Sequence, residues 1–448
     1  MKKKTLNWNI AFEISPILAA SGSFGDKSGV YRINYNLIKY LSTYFHQQKL
    51  PHQIFLYTIN PTLLFNMNID LYELLKRDNV HLLKLPNLTS RYLHEYPIFN
   101  HLGIRYVAKL INKLIYKRIL EKTLFQRYLG SLSEILRTNH VRVVHHSESG
   151  FVDLPGFANV IHINDIVPIK FPFWQRKLTV EIHKRKLNFT ESSAQGVICI
   201  SESTKRDLLD YLPRLSLPDR LVRVIFPGAD NHQTTNSIPL ADLNHIISGK
   251  GYSVLKKDNY FLYFGTIEPR KNIPLLVTVF NHLLTSGTFA DAKLTLVGGR
   301  GWGKTYDDLQ RFIAENYPIS SESPIIFLDF LNDNYLASLI KNARAVVYPS
   351  LYEGFGLPVA ESMRLGTPVI TSNVASLPEV AGDACLTIDP LNPEALESAM
   401  IKIYRSPTIR ASLSQKGLKQ SAQFTWANCA KSTYQFYVDL LRHLERSS

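Results

Sequence analysis

Near the end of this 448-residue chain, two carboxylates flank a glycine-bearing turn: Glu353, then Gly354-Phe355-Gly356-Leu357-Pro358, then Glu361. Glycines ahead of a helix let the backbone approach a ligand closely. The free N–H groups and the helix dipole at such a start favour an anion, most often phosphate. A carboxylate can accept two hydrogen bonds from a vicinal diol such as that of a ribose. Phosphate at the turn with an acid on either side therefore describes a nucleotide joined to a sugar. The plainer alternative makes Glu361 a first-turn acid complementing the helix dipole and Glu353 a solvated loop charge. The glycines, the phenylalanine and the helix start between the acids favour the ligand site. A second charged set, Arg270 and Lys271, lies just before a helix opened by Pro274. A planar guanidinium fork beside a compact ammonium suits a diphosphate, although an isolated pair of this kind is usually surface charge.

These groups need elements that aim them at one place. Ala345 to Tyr348 reads as a buried strand, broken by Pro349 and Ser350. Pro358 fits the first helical position, Gly366 and Pro368 mark the stop, and Val369 begins another strand. Arg270 and Lys271 follow the apolar run Tyr260–Phe264 and the loop from Gly265 and Thr266. Lys293–Val297 leads into the glycine-rich 298–303 loop, and Ile325–Leu328 into Asp329-Phe330-Leu331. The first half alternates in the same way. A strand over 8–14 precedes a Gly29 loop and a helix bearing Val30, Ile33, Leu37, Ile38 and Leu41. Further strands are expected at 52–59 and 80–85 and within the segments 141–149, 159–172 and 196–212, the last with Ser201 as a helix cap. Alternation of this kind makes an α/β, doubly wound protein whose ligands bind beyond the carboxyl ends of parallel strands. The expected division is a first Rossmann-like domain over 1–230, a polar linker with irregular insertion over 231–257, and a second such domain over 258–425. A terminal helix, aromatic on one side, is expected over 426–448.

The stretch EGFGLPVAE resembles the E-x7-E signature of retaining glycosyltransferases of family GT4, which have the GT-B fold. The resemblance extends through GTIEPRKNIPLL, LVGGRGWG, LDFLNDNYLASLI and SLPEVAGDA, covering nearly all of the second half. Relatives with this EPRKN loop include bacterial mannosyltransferases of surface-polysaccharide synthesis. The resemblance implies that Arg270 and Lys271 stabilise the departing diphosphate, that Glu353 holds the donor sugar and that Glu361 holds the ribose. It places Gly29, Asn164, Asp165, Gly265, Thr266, Gly354, Phe355, Gly356 and Leu357 around the donor, and Phe330 and Leu331 at the base. The packing of the 426–448 helix back on the first domain is implied by the resemblance alone. Two positions depart from the family pattern. Asn164 stands where histidine is common, and Thr266 where an arginine often follows the glycine. The implied reaction moves a sugar, first of all mannose from GDP-mannose, to a hydroxyl of a glycan or lipid-linked acceptor. UDP- and dTDP-sugars are the alternative donors. Neither metal nor other cofactor is expected.

Composition narrows the classes further. With 45% hydrophobic residues and no low-complexity tract the chain reads as globular throughout. The formal charge of +14 has no nucleic-acid reading motif beside it, so a phosphate-bearing substrate or an anionic membrane surface is the expected partner, and nucleic acid is not. Residues 101–129 form an amphipathic helix candidate with Arg105, Lys109, Lys113, Lys117 and Arg118 and suit an anionic lipid surface, or else a solvated face. Cys199, Cys385 and Cys429 lack metal-like spacing and point to a reducing compartment. No apolar run is long enough to span a bilayer, and the lysine-bearing start is interrupted by Asn7, Asn9 and Glu13. A cytoplasmic protein, peripheral on the inner membrane face, is expected. Rival readings are a phosphorylase or epimerase of the same fold, a catalytically silent sugar-nucleotide binder, and a nucleic-acid binder resting on charge alone.

Overall fold

The structure, a computed structural model, describes residues 8–20, 29–59, 68–83, 123–148, 150–218, 221–230, 238–320 and 322–447. Short, wholly apolar runs such as Tyr260–Phe264 and Ala345–Tyr348 are buried along their length, as strands covered on both faces must be. They assemble into two parallel sheets. The first contains β1 (Asn9–Glu13), β2 (Ile54–Tyr57), β3 (Val80–Leu82), β4 (Val141–His146), β5 (Ala158–Ile163), β6 (Gly196–Cys199) and β7 (Val222–Val224), in the order β3-β2-β1-β4-β5-β6-β7. The second contains β8 (Tyr260–Phe264), β9 (Lys293–Val297), β10 (Ile325–Leu328), β11 (Ala345–Tyr348), β12 (Val369–Ser372) and β13 (Leu386–Ile388), in the order β10-β9-β8-β11-β12-β13. Strand order reverses between β1 and β4 in one sheet and between β8 and β11 in the other. These are the switch points where the crevice opens. Two doubly wound lobes of this kind make the GT-B architecture.

The terminal helix, Trp426–Ser447, lies along the Gly29–Gln47 helix of the first lobe. It buries Trp426, Phe436, Tyr437, Leu440 and Leu441. Glycines admit it: a Cβ on Gly196 would stand 2.8 Å from the Phe436 ring, and one on Gly228 would overlap Trp426. The Tyr437 hydroxyl reaches His145 Nδ1 at 2.6 Å, so a buried polar contact joins the helix to the tip of β4.

One expectation is corrected here. The segment read as irregular contains a helix, Leu240–Gly249, which buries Leu243 and Ile247 one turn apart. Asn244 then clamps both the N–H and the carbonyl of Leu255, at 2.8 and 2.9 Å. Its period was too short to stand out among polar neighbours. The basic stretch lies outside the described residues as far as residue 122; from there a helix runs Thr123–Thr138. Among the described residues no helix is long and apolar enough to cross a membrane.

The lobes touch across the crevice. Glu379 of the second lobe accepts the N–H groups of Glu202 and Ser203, at 2.8 and 2.7 Å, at the start of the Glu202–Tyr211 helix. Ser201 accepts the Thr204 N–H at 3.0 Å, so two side chains from different lobes cap one helix. Thr204 Oγ1 donates to the Gly354 carbonyl at 3.2 Å, and the Tyr352 hydroxyl donates to Asp207.

Candidate functional site

β8 and β11 are neighbours at the second switch point, so the loops leaving their carboxyl ends meet. The first passes through a short turn, Pro269–Lys271, and Asn272 at φ 55° before the Ile273–Thr285 helix. Asparagine is among the few non-glycine residues that adopt this left-handed conformation readily, and here its amide also donates to the Pro390 carbonyl at 2.8 Å. The second loop carries Ser350 and Glu353, then Gly356 at φ 102°, where a side chain would be strained, and enters the Leu357–Arg364 helix. A backbone bond from Leu351 N–H to the Arg270 carbonyl, 2.8 Å, ties the two loops together.

Their side chains form one charged cluster. Arg270 Nη1 donates to Glu353 Oε2 at 2.6 Å and to the Tyr352 carbonyl at 3.1 Å, while its Nε pairs with Glu268 at 2.5 Å. Lys271 Nζ lies 2.5 Å from Glu353 Oε1 and 2.5 Å from the Tyr348 hydroxyl. Ser350 adds a bond to Glu353 Oε1 at 2.8 Å. Burial alone would raise the Glu353 carboxyl, but Arg270 and Lys271 overcome it and hold it down at about 2. Burial, reinforced by Arg270, pulls the Lys271 ammonium below its usual range. Glu353 is thus a permanent anion that keeps two buried cations charged and aimed. It cannot serve as a proton donor near neutrality. About four lone-pair sites are available to a carboxylate, and these contacts leave room for a sugar hydroxyl.

The glycine turn is braced from both sides. Ser376 Oγ bonds to the carbonyls of Glu353 and Phe355, at 2.9 and 3.0 Å. A Cβ on Gly354 would overlap the carbonyl oxygen of Asn164, so the turn closes directly on the tip of β5 in the opposite lobe. Asp165 lies there too. Burial raises its carboxyl and Arg270, across the crevice, opposes the rise. Gly29 approaches Leu357, where an added Cβ would sit 4.0 Å away. Gly265 at φ 133° turns the chain out of β8, and Thr266 is exposed beside it. Phe330 is 71% exposed, whereas Leu331 packs at the edge of the core.

Glu361 is placed differently from the sequence expectation. It lies one residue beyond the first turn of its helix, so it does not complement the dipole. It is buried and bonded to Arg32 Nη1 at 2.8 Å, and Arg32 also reaches Asp333 at 3.3 Å. Burial raises the Glu361 carboxyl against the pull of Arg32. Sequence reasoning missed Arg32, which lies off the apolar stripe of its helix and reads locally as a solvated charge. A cation next to Gly29 was the available signal. Glu268, Glu379, Asp207 and Tyr352 were likewise missed. Replacing Arg32 by alanine is expected to cost about 3 kcal/mol in urea unfolding, because the buried Glu361 carboxylate loses the cation bonded to it at 2.8 Å. Adding Glu361→Gln should recover part of that loss; full additivity of the two losses would contradict the pairing.

Comparison with known proteins adds an independent line. The family described as "Glycosyl transferases group 1" matches residues 250–420. The O-antigen chain mannosyltransferase B of Escherichia coli is 33% identical over 283 residues, which cover 62% of this chain and 69% of that protein. A serotype-specific mannosyltransferase WbdA, also of Escherichia coli, is 29% identical over 305 residues, 66% of this chain but only 36% of the longer relative. Among solved structures, a glycosyltransferase from Rickettsia africae ESF-5 superposes with a TM-score of 0.63 at 14% identity, covering 97% of this chain and 99% of that one. WaaG, a glycosyltransferase involved in lipopolysaccharide biosynthesis, gives 0.56 at 14% identity over 95% of this chain and 98% of that chain.

Proposed function

This chain belongs to the glycosyl transferases group 1 family and is a glycosyltransferase of the GT-B fold, and from that premise we propose that it transfers mannose from GDP-mannose to a hydroxyl of a glycan or lipid-linked oligosaccharide, with retained anomeric configuration and without a metal ion. The observation that carries this reading is the Arg270–Lys271–Glu353 cluster at the second switch point, facing Asn164 and Asp165. The mannosyl donor is supported by the names of the Escherichia coli relatives and by the EPRKN loop.

Cleavage of the bond to the anomeric carbon loads negative charge onto the departing diphosphate and positive charge onto the sugar ring. Arg270, Lys271 and the N–H groups at the start of the Leu357–Arg364 helix offset the first charge. They are held in place before reaction, so little reorganisation is needed when the charge develops. Glu353 orients the cations and accepts a hydroxyl of the donor sugar. The acceptor hydroxyl passes its proton to a diphosphate oxygen on the same face as the leaving group, which preserves configuration. Lobe closure through Glu379, Thr204 and Tyr352 keeps water from the activated sugar. The basic 101–129 stretch, with the overall charge, would hold the enzyme on an anionic membrane where a lipid-linked acceptor resides. We place the enzyme in the cytoplasm, peripheral on the inner membrane face.

Thermal unfolding of the purified chain with a panel of sugar nucleotides tests the donor. GDP-mannose at a hundred times its Kd should stabilise the chain by about 2.7 kcal/mol, with UDP- and dTDP-sugars giving less. Stabilisation by a UDP-sugar alone would move the assignment to that donor.

A further inference from the structure

On the first lobe, facing the Glu353 cluster, four side chains close a circuit that the steps above leave unused. Glu148, just after β4, is 11% exposed and takes Lys186 Nζ at 2.8 Å and Asn164 Nδ2 at 2.9 Å on Oε2. Its Oε1 lies 3.0 Å from His183 Nε2. Lys186, 1% exposed, also donates to the His162 carbonyl at 2.8 Å. His183 Nδ1 stands 3.0 Å from the Thr179 carbonyl.

The chemistry of the partners fixes the protons. A carbonyl only accepts, and so does an ionised carboxylate, so both ring nitrogens of His183 carry hydrogen and the ring is an imidazolium. Glu148 is ionised: burial would raise its carboxyl, but Lys186 and His183 pull it down to about 2. The same reasoning orients the Asn164 amide, because only its NH2 can face Glu148. The remaining Oδ1 is buried and accepts no hydrogen bond from any described residue. Asn164 follows β5 directly, its backbone carbonyl against the Gly354 turn and Asp165 beside it, on the border of the crevice. A histidine here could change its donor pattern with protonation; this asparagine can present an acceptor only while its amide is held one way round.

We propose that Glu148, Lys186 and His183 are positioning residues that hold Asn164 with Oδ1 toward a hydroxyl of the transferred sugar, and that the imidazolium form of His183 is required for the hold. The inference rests on the crevice being the nucleotide-sugar site argued above. The groups facing His183 are Glu148 after β4, Asp165 after β5 and Lys186 on its own helix. Burial and Lys186 oppose its charge; Glu148 and Asp165 favour it and leave the pKa raised. The charged form is therefore complete at low pH and is lost as pH rises through that raised value. One of the two acceptors, Glu148 Oε1 or the Thr179 carbonyl, then loses its donor, and the ring no longer braces the Glu148 carboxylate against its own helix.

The test is calorimetric binding of GDP-mannose and of GDP to the full-length protein across pH values from about 6 to about 9. GDP-mannose affinity of the unmodified chain should fall roughly tenfold toward high pH, while GDP affinity stays level. His183→Gln keeps one amide donor for Glu148 at every pH and should flatten that profile. Asn164→Ala should weaken GDP-mannose roughly tenfold and leave GDP unchanged. A flat profile in the unmodified chain, an unchanged slope in His183→Gln, or full GDP-mannose affinity in Asn164→Ala each overturns this inference while leaving the donor assignment standing. If His183→Gln fails to fold, the profile of the unmodified chain and the Asn164→Ala arm decide. Failure of the unmodified chain to bind GDP-mannose removes the donor assignment and this inference with it.

Discussion

Glu353→Gln is expected to lower the rate of sugar transfer about a thousandfold, the cost of losing preorganised electrostatics aimed at a developing charge. The amide keeps the shape of the side chain and one acceptor oxygen, so a sugar hydroxyl can still be met. What disappears is the anion between Arg270 Nη1 and Lys271 Nζ. Arg270 retains Glu268, but Lys271 is left with the Tyr348 hydroxyl, and its ammonium form is already disfavoured by burial. The variant should therefore disfavour the Lys271 charge further and lose about 3 kcal/mol of stability. The sign of the acid dependence follows from Glu353 itself. Its carboxyl in the folded chain is depressed to about 2 from an ordinary 4.5, so its contribution to stability is complete above 4.5 and is lost as pH falls through about 2. Initial rates together with urea unfolding measure both effects. A variant with the parental rate would remove Glu353 from the machinery.

Arg270→Lys, which preserves the charge, is expected to reduce kcat about a hundredfold. The guanidinium uses separate nitrogens at once: Nε toward Glu268, and Nη1 toward Glu353 and the Tyr352 carbonyl. A lysine ammonium cannot span these positions and still offer a planar face to a diphosphate. If the role is stabilisation of the leaving group, kcat should fall far more than the donor KM rises. A pure rise in KM at constant kcat would recast Arg270 as a ground-state binding residue.

Much of this architecture was legible in the chain, for identifiable reasons. β8 and β11 announce themselves because strands buried on both faces are uninterrupted apolar runs, and Pro358 and Gly356 mark a helix entrance by their backbone requirements alone. The charged residues near those boundaries follow once the switch-point rule is applied. The Leu240–Gly249 helix was obscured because its buried face is little more than Leu243 and Ile247. Arg32 was obscured for a different reason: its partners, Glu361 and Asp333, are some 300 positions away, and no local pattern encodes a contact between lobes. The placement of Glu361 beyond the first turn hangs on a single residue of helix boundary, the feature sequence resolves least well. Glu148, Lys186 and His183 show the same limit. Each reads locally as ordinary surface charge, and only the folding of β4, β5 and the Lys177–Ser193 helix against one another makes them a circuit.

The most direct measurement is diffraction from crystals of the protein grown with GDP-mannose. Diphosphate oxygens should lie within about 3 Å of the Arg270 guanidinium, the Lys271 ammonium and the N–H groups that begin the Leu357–Arg364 helix, with the sugar toward Glu353 and Asn164. A diphosphate bound elsewhere, with the Arg270–Glu353 and Lys271–Glu353 pairs closed and untouched, would contradict the account.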